Sequence, residues 1–186
     1  MRRHLYCYFN RMRGLEAPPS RTNFSHVMWS AIGAFLGIYL ITVLNRYIFV
    51  NASDAIFLVG SFGASAVLVY AVPDAELSQP RNLIGGHIIS ALIGITIYKY
   101  LPLDISLLSA LAVSLSIVAM HLTRTLHPPG GATALIAVIG SSQIHELGYM
   151  FVIRPIAIGA FILLIIALAV NNISNNPKRH YPRYWW

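Results

Sequence analysis

Cysteine is nearly missing from this chain: 186 residues hold one, Cys7. A single thiol excludes an intramolecular disulfide and matches no cysteine-based metal motif, so Cys7 reads as a free thiol in an N-terminal tail. Acidic residues are almost as scarce, six Asp and Glu against thirteen Lys and Arg, and charged residues of both signs make up only 10% of the sequence. Soluble domains carry about a quarter of their residues as charges, so this composition excludes one. The scarcity also removes whole chemistries. Asp54, Asp74, Glu76, Asp104 and Glu146 all fall in connections between apolar runs, which leaves no carboxylate ring for a cation. His87, His121, His127 and His145 have no zinc-type spacing and no cysteine or carboxylate partner, so no metal and no cofactor is expected. With no nucleophile-elbow pattern either, the chain is not expected to be an enzyme.

What is present is oil. Hydrophobic residues make up 56% of the sequence, with a mean hydropathy of +0.64. The first long apolar run, 27–50, is too long for a signal-peptide core and is followed by no small-residue cleavage site, so it reads as a retained membrane span. The net charge of +7 does not point to nucleic acid, because the basic residues sit in the tails rather than in a folded module. Arg2, Arg3, Arg11, Arg13 and Arg21 precede the first span, and Lys178, Arg179 and Arg183 follow the last. The positive-inside rule places both tails in the cytoplasm, against anionic lipid, which requires an even number of crossings of a plasma (inner) membrane. The expected organisation is a basic tail over 1–25, a transmembrane domain over 26–172 and a basic, aromatic tail over 173–186.

Four runs are long enough to span without help: 27–50, 82–101, 103–123 and 147–171. Two shorter ones fall between them. The run 55–72 is interrupted by Gly60-Ser61-Phe62-Gly63, and the run 130–140 is preceded by His127-Pro128-Pro129. Proline lacks an N–H and disfavours a helical residue before it, so a helix can start only at this break. As helix, 131–140 covers about 15 Å, half of a 30 Å hydrocarbon core. An extended approach over 124–130 adds roughly 20 Å, and the composite then reaches across as a broken span.

The two short runs resemble each other. Gly63-Ala64-Ser65-Ala66-Val67-Leu68-Val69 aligns with Gly131-Ala132-Thr133-Ala134-Leu135-Ile136-Ala137, and Ser90-Ala91 with Gly159-Ala160 at nearly the same offset. The expected fold is therefore an all-α polytopic bundle of six hydrophobic segments, built as an inverted 3+3 repeat over about 26–101 and 103–172. An odd number of crossings per half makes the second copy insert upside down. Small residues at four-residue spacing, Gly33 and Gly37, Gly86, Ser90 and Gly94, then Ser106, Ala110 and Ser114, suit close helix packing within the bundle or in a homo-oligomer.

In such a repeat the two short helices aim positive amino ends at mid-membrane. Ser61, Ser65 and Thr133 supply hydroxyls there, and Gly63, Gly130 and Gly131 let a ligand approach backbone amides. Arg81, Asn82 and His87 follow the first short run, Arg124 and His127 precede the second, and Arg154 lies inside the last apolar run, where a charge needs a reason. With no acidic residue available, this set favours a small inorganic monovalent anion. His127 reads either as a proton-titrating gate or hydrogen-bond donor, or as a residue that merely ends the preceding helix, and proton coupling through His87 or His127 would follow from the first. The competing expectation is a non-transporting scaffold or sensor whose basic tails recruit a cytoplasmic partner. Leucine at Gly63 and Gly131 should block a permeation path and leave a scaffold unaffected.

These residues resemble the HPP family of integral membrane proteins, named for the motif seen here as His127-Pro128-Pro129. The likeness covers residues 60–68, Gln79-Pro80-Arg81-Asn82 with Gly85-Gly86-His87, residues 127–135, and Asn171-Asn172 with Tyr181-Pro182-Arg183-Tyr184-Trp185. The resemblance implies a membrane transporter, with nitrite the first substrate to consider, because members in chloroplasts and cyanobacteria are associated with nitrite transport. The family is usually described with four transmembrane helices, against the six segments read here. Some relatives carry CBS regulatory domains, and no segment of this sequence matches one.

Overall fold

The computed structural model describes residues 21–48, 60–174 and 176–186, and every regular element among them is helical. Cys7, Asp54 and the N-terminal arginines before Arg21 lie outside the described residues, as does the start of the second predicted run. Four helices are long and apolar enough to cross a membrane: α1 (Phe24–Ile48), α3 (Pro80–Tyr100), α4 (Ile105–Leu122) and α7 (Val152–Ile173). Two short apolar helices lie between them, α2 (Gly60–Ala71) and α5 (Pro128–Ile139), followed by a six-residue helix, α6 (Ser142–Leu147). The family's usual count of four and the six segments of the sequence reading thus describe one object: four full spans and two short helices.

Local chemistry sets the boundaries. Pro80 and Pro128 open α3 and α5, where a missing N–H is harmless. Asp104 caps α4, its Oδ1 accepting from the amides of Ser106 at 2.9 Å and Leu107 at 3.2 Å. The last turn of α2 (Val67–Ala71) and the first of α7 (Val152–Ala157) are π-helical, and Arg154 leaves helical geometry altogether with φ −132° and ψ 121° beside Pro155.

One end of the bundle gathers the start of α1 and the segment after α7. Arg179, beyond α7, donates from Nη1 to the carbonyl of His26 in the first turn of α1 at 3.1 Å. His26 Nε2 in turn donates to Ala71, the last residue of α2, at 2.8 Å. Arg81 at the start of α3 donates from Nη2 to Thr123, just past α4, at 2.7 Å. These contacts define a terminal side, where α1 and α3 begin and α2, α4 and α7 end. Helix α5 lies parallel to α3: a Cβ on Gly86 would meet His127, one on Gly130 would meet Ser90, and one on Gly94 would meet Ala134 and Ala137. Gly86 is six residues into α3, so α5 starts about 9 Å inside the terminal end of that helix. Helix α2 runs the other way, since Ser65 pairs with His127 while Ser61, earlier in the chain, pairs with the later Thr133. The two short helices are antiparallel, and the Ser61 to Ser65 stretch of α2 lies against the first turns of α5.

The small-residue stripes have specific occupants. The Gly33 and Gly37 face of α1 receives the ring of Tyr70, which is fully buried and donates to the Leu163 carbonyl at 3.1 Å. The Gly86, Ser90 and Gly94 face of α3 receives α5. Ser106, Ala110 and Ser114 on α4 face outward instead. So do many large apolar side chains, including Phe35 on α1, Val118 on α4 and Ile165 on α7. A bundle that turns its oil outward is adapted to lipid rather than to water.

Candidate functional site

Where α2 and α5 overlap, five polar side chains meet, and none is more than 2% exposed. His127 is placed by its proline: the residue before Pro128 is held extended, at φ −139° and ψ 104°, so the chain enters the bundle as a strand and delivers the imidazole to its centre. Asn82 fixes that strand by donating from Nδ2 to the Leu126 carbonyl at 2.8 Å. His87 comes from the second turn of α3, Ser61 and Ser65 from α2, and Thr133 from α5.

The contacts form one chain. Ser65 Oγ lies 2.7 Å from His87 Nε2 and 2.9 Å from His127 Nε2. Thr133 Oγ1 lies 2.8 Å from His87 Nδ1 and 2.8 Å from Ser61 Oγ. The ends rest on carbonyls, with His127 Nδ1 2.9 Å from Leu77 O and Ser61 Oγ 3.0 Å from Pro129 O. A carbonyl only accepts, so His127 Nδ1 carries a proton and its Nε2, in the neutral ring, accepts from the Ser65 hydroxyl. His87 must then donate from Nε2 to Ser65 and accept at Nδ1 from Thr133. Ser61 donates last, shared between Thr133 Oγ1 and Pro129 O. With both rings neutral, every buried donor and acceptor in the chain is satisfied.

The surroundings are apolar and tight. Phe62, fully buried, packs its ring 5.1 Å from that of His87, and the two imidazole centroids are also 5.1 Å apart. A Cβ on Gly86 would sit 2.5 Å from His127 Cβ, one on Gly130 2.7 Å from Ser90 Oγ, and one on Gly159 2.3 Å from the Phe62 ring. Neither imidazole has a carboxylate among its hydrogen-bond partners, and no group of three metal-ligating side chains exists among the described residues.

The structure sorts the sequence candidates into three kinds. Ser61, Ser65, His87, His127 and Thr133 form the cluster. Arg81, Asn82 and Gly130 shape its entrance or its packing without reaching it. Gly63, Gly131, Arg124 and Arg154 lie away from it. A Cβ on Gly63 would meet nothing within 4 Å and one on Gly131 only Val113 at 3.7 Å, so neither glycine marks a tight passage. Arg124 is exposed at a positive φ of 57°, and Arg154 is exposed on the outer face of α7. The expected free amides at the start of α5 are also not there: Pro128 and Pro129 have no N–H, and Gly130 donates to the His127 carbonyl at 2.8 Å. The residues that sequence reasoning missed are Phe62, Gly86, Gly159 and the Leu77 carbonyl. Of these, Gly86 carried a signal in the stripe shared with Ser90 and Gly94, Gly159 in its repeat correspondence with Ser90, and Phe62 in its place between Gly60 and Gly63; the Leu77 carbonyl carried none.

The C-terminal segment is not a free basic tail. Arg179 is fully buried, with Nη1 donating to Ser30 Oγ at 3.0 Å and Nη2 to the Tyr70 carbonyl at 3.0 Å. Tyr181 is buried and donates to the Ser78 carbonyl at 2.9 Å, and burial pushes its phenol up from the ordinary value. Arg183 donates its amide to Gln79 Oε1 at 2.8 Å and Nη1 to the Asp74 carbonyl at 3.0 Å. This segment seals the turn whose Leu77 carbonyl holds His127.

Residues 19–182 match the model of the HPP transmembrane region. The chain is 43% identical over 182 residues to one transmembrane protein of Dictyostelium discoideum and 42% identical over 184 residues to another, with 96% of this chain covered in each case. It spans 57% and 63% of the length of those two relatives. No solved structure matches it. The family match over nearly the whole chain, the two relatives and the His127-Pro128-Pro129 break that builds the cluster agree: this chain belongs to the HPP transmembrane family.

Proposed function

We propose that the protein is a transporter for a small inorganic monovalent anion, rather than an enzyme, and that the anion passes through the Ser61, Ser65, His87, His127 and Thr133 cluster. One observation carries this reading: five hydroxyl and imidazole groups converge, buried and without a carboxylate, where α2 packs against the start of α5. Hydroxyls and imidazole N–H groups are donors that suit an anion. In the described conformation these donors satisfy one another, so the site is occluded. Transport requires α2 and α5 to part enough for the anion to replace their mutual hydrogen bonds. Nitrite is the first substrate to test, on the family resemblance, with nitrate, formate and chloride beside it.

The antiparallel short helices also support reading the chain as two inverted halves. Ser61 donates to Pro129, which lies 68 residues on and occupies the same place in the second copy. Residues on a two-fold axis meet their own counterparts in this way. The close pair Ser90 and Gly130 has its counterpart in Gly159 and Phe62. The positive-inside pattern supports a cytoplasmic terminal side, and the plasma membrane is the location proposed with it. A scaffold that recruits partners through a basic C-terminal tail is less well supported, because Arg179 is buried.

Uptake into proteoliposomes tests the proposal. Influx of at least one of the four anions well above that of protein-free vesicles is expected, and no flux of any of them overturns it.

A further inference from the structure

The cluster has a property that anion binding alone does not require: its hydrogen bonds close in two opposite directions. With both rings neutral, hydrogens run from Ser61 through Thr133, His87 and Ser65 to His127 and end on Leu77 O. Add one proton to His127. Its Nδ1–H stays on Leu77 O and its Nε2–H now donates to Ser65 Oγ. Ser65, having given its own hydrogen to His127 Nε2, keeps the one from His87 Nε2 and donates it back to that nitrogen, while His87 Nδ1 takes a hydrogen from Thr133 Oγ1 and Thr133 one from Ser61, where the added proton enters. Thr133 then donates to Ser61 Oγ, and Ser61 donates wholly to Pro129 O, 3.0 Å away. No donor is lost, because both ends are carbonyls that only accept.

The extra proton can also sit on His87. There Nδ1–H donates to Thr133 and Nε2–H to Ser65, while Ser65 donates to His127 Nε2. Ser65 converts one state into the other: it receives the His87 Nε2 proton as it gives its own to His127 Nε2. Protons and charge balance, since one proton enters and one leaves the hydroxyl. A second extra proton is opposed by charge, because two positive rings would face each other at 5.1 Å, both Nε2 atoms donating to Ser65 Oγ while its hydroxyl turns to the Ser61 carbonyl at 3.3 Å. The groups facing the pair from α2, α3, α5 and the 76–78 turn are Ser61, Ser65, Phe62, Thr133 and the Leu77 carbonyl. The imidazoles themselves are the titratable members of this set.

We propose that His87 and His127, bridged by Ser65, form a site for a single proton, which is taken up together with each anion. This rests on the anion reading for its second half and on the cluster geometry alone for its first. A buried positive charge without a counter-ion is expensive, and so is a buried anion. One proton and one monovalent anion together are neutral, so the loaded cluster crosses the membrane without net charge.

Two measurements test the two halves separately. The first is nitrogen NMR of histidine-labelled protein in detergent, with His87→Gln and His127→Gln assigning the two rings. Expected at neutral pH are His87 protonated on Nε2 and His127 on Nδ1. On acidification one proton should be shared by both rings, and Ser65→Ala should split this into two independent titrations. Two independent titrations in the unaltered protein, or identical tautomers in both rings, overturn the one-proton site whatever the transport result. The second uses proteoliposomes under a potassium and valinomycin clamp with nitrate outside, because nitric acid does not leak across lipid as nitrous acid does, and with nitrite as the second probe. Lumenal acidification of one proton per anion, insensitive to the clamp voltage and reduced at least tenfold in Ser65→Ala, is expected. Anion flux without proton movement overturns the coupling and leaves the anion reading standing. Absence of any flux overturns the anion reading and the coupling together, and the NMR measurement alone then decides the proton site.

Discussion

Arg179 and Asn171 are joined by a hydrogen bond of 2.6 Å from Nη2 to Oδ1, and both side chains are fully buried. Asn171 also donates to the Val69 carbonyl at 3.1 Å, so the pair ties the end of α7 to the π-helical last turn of α2. The guanidinium is held by four neutral acceptors, of which the Tyr70 carbonyl, at the carboxyl end of α2, carries partial negative charge.

Removing that guanidinium leaves Asn171 Oδ1 and the Tyr70 carbonyl with fewer donors and opens a cavity. Arg179→Ala is expected to destabilise the protein by about 3 kcal/mol or more, from unsatisfied buried acceptors of about 1–3 kcal/mol each plus lost packing. Arg179→Lys should recover only part, because an ammonium cannot span His26, Ser30, Tyr70 and Asn171 at once. Thermal unfolding in detergent, followed by the three proteins' midpoints, checks the order: unaltered, then lysine, then alanine.

Two glycines close in sequence to the cluster should respond with opposite signs. Gly86→Ala drives a methyl to 2.5 Å from His127 Cβ and 2.9 Å from the Thr125 carbonyl oxygen. Overpacking of this kind costs about 1–3 kcal/mol and displaces His127, so anion flux should fall at least tenfold. Gly63→Ala meets nothing within 4 Å, and removing a helical glycine should stabilise by about 0.5–1 kcal/mol with flux retained. Equal effects of the two substitutions on unfolding and flux would refute this assignment of the tight contacts.

Arg154 offers a sharper contrast between sequence and structure. Its depth in the last apolar run made it a candidate ion ligand, yet it is exposed on α7, away from the cluster. Arg154→Gln should therefore leave anion influx within about twofold of the unaltered protein, since a group outside the site contributes mainly through screened, long-range charge. A loss as large as that of Gly86→Ala would return Arg154 to the pathway.

These cases show what the sequence made legible. The break at His127-Pro128 was readable because proline acts on the backbone directly, whereas Gly60 to Gly63 lie within helix; the matching offset of the two runs brought Ser61, Ser65 and Thr133 together, and His87 and His127 entered only through their closeness in sequence to the short runs. Position along a span was readable too. Its facing was not: Arg154 and Ser106 sit at informative depths but turn outward, and the azimuth of a helix is set by neighbours the sequence does not name. Gly63 and Gly131 were read as the close approach, whereas the crowded glycines are Gly86, Gly130 and Gly159, each fixed by one long-range partner. Arg179 was hidden in a basic tail. Its signal was the Asn171-Asn172 pair closing an apolar run, a polar anchor waiting for the returning chain.

Thr133 gives the most direct test of the central claim that the buried cluster is the anion's path. Thr133→Val keeps shape and removes the hydroxyl that joins Ser61 to His87 at 2.8 Å on each side. Influx of nitrate and nitrite into proteoliposomes should fall at least tenfold in Thr133→Val and return in Thr133→Ser, with all three proteins folded by their unfolding midpoints. Influx in the valine variant equal to that of the unaltered protein would contradict the account.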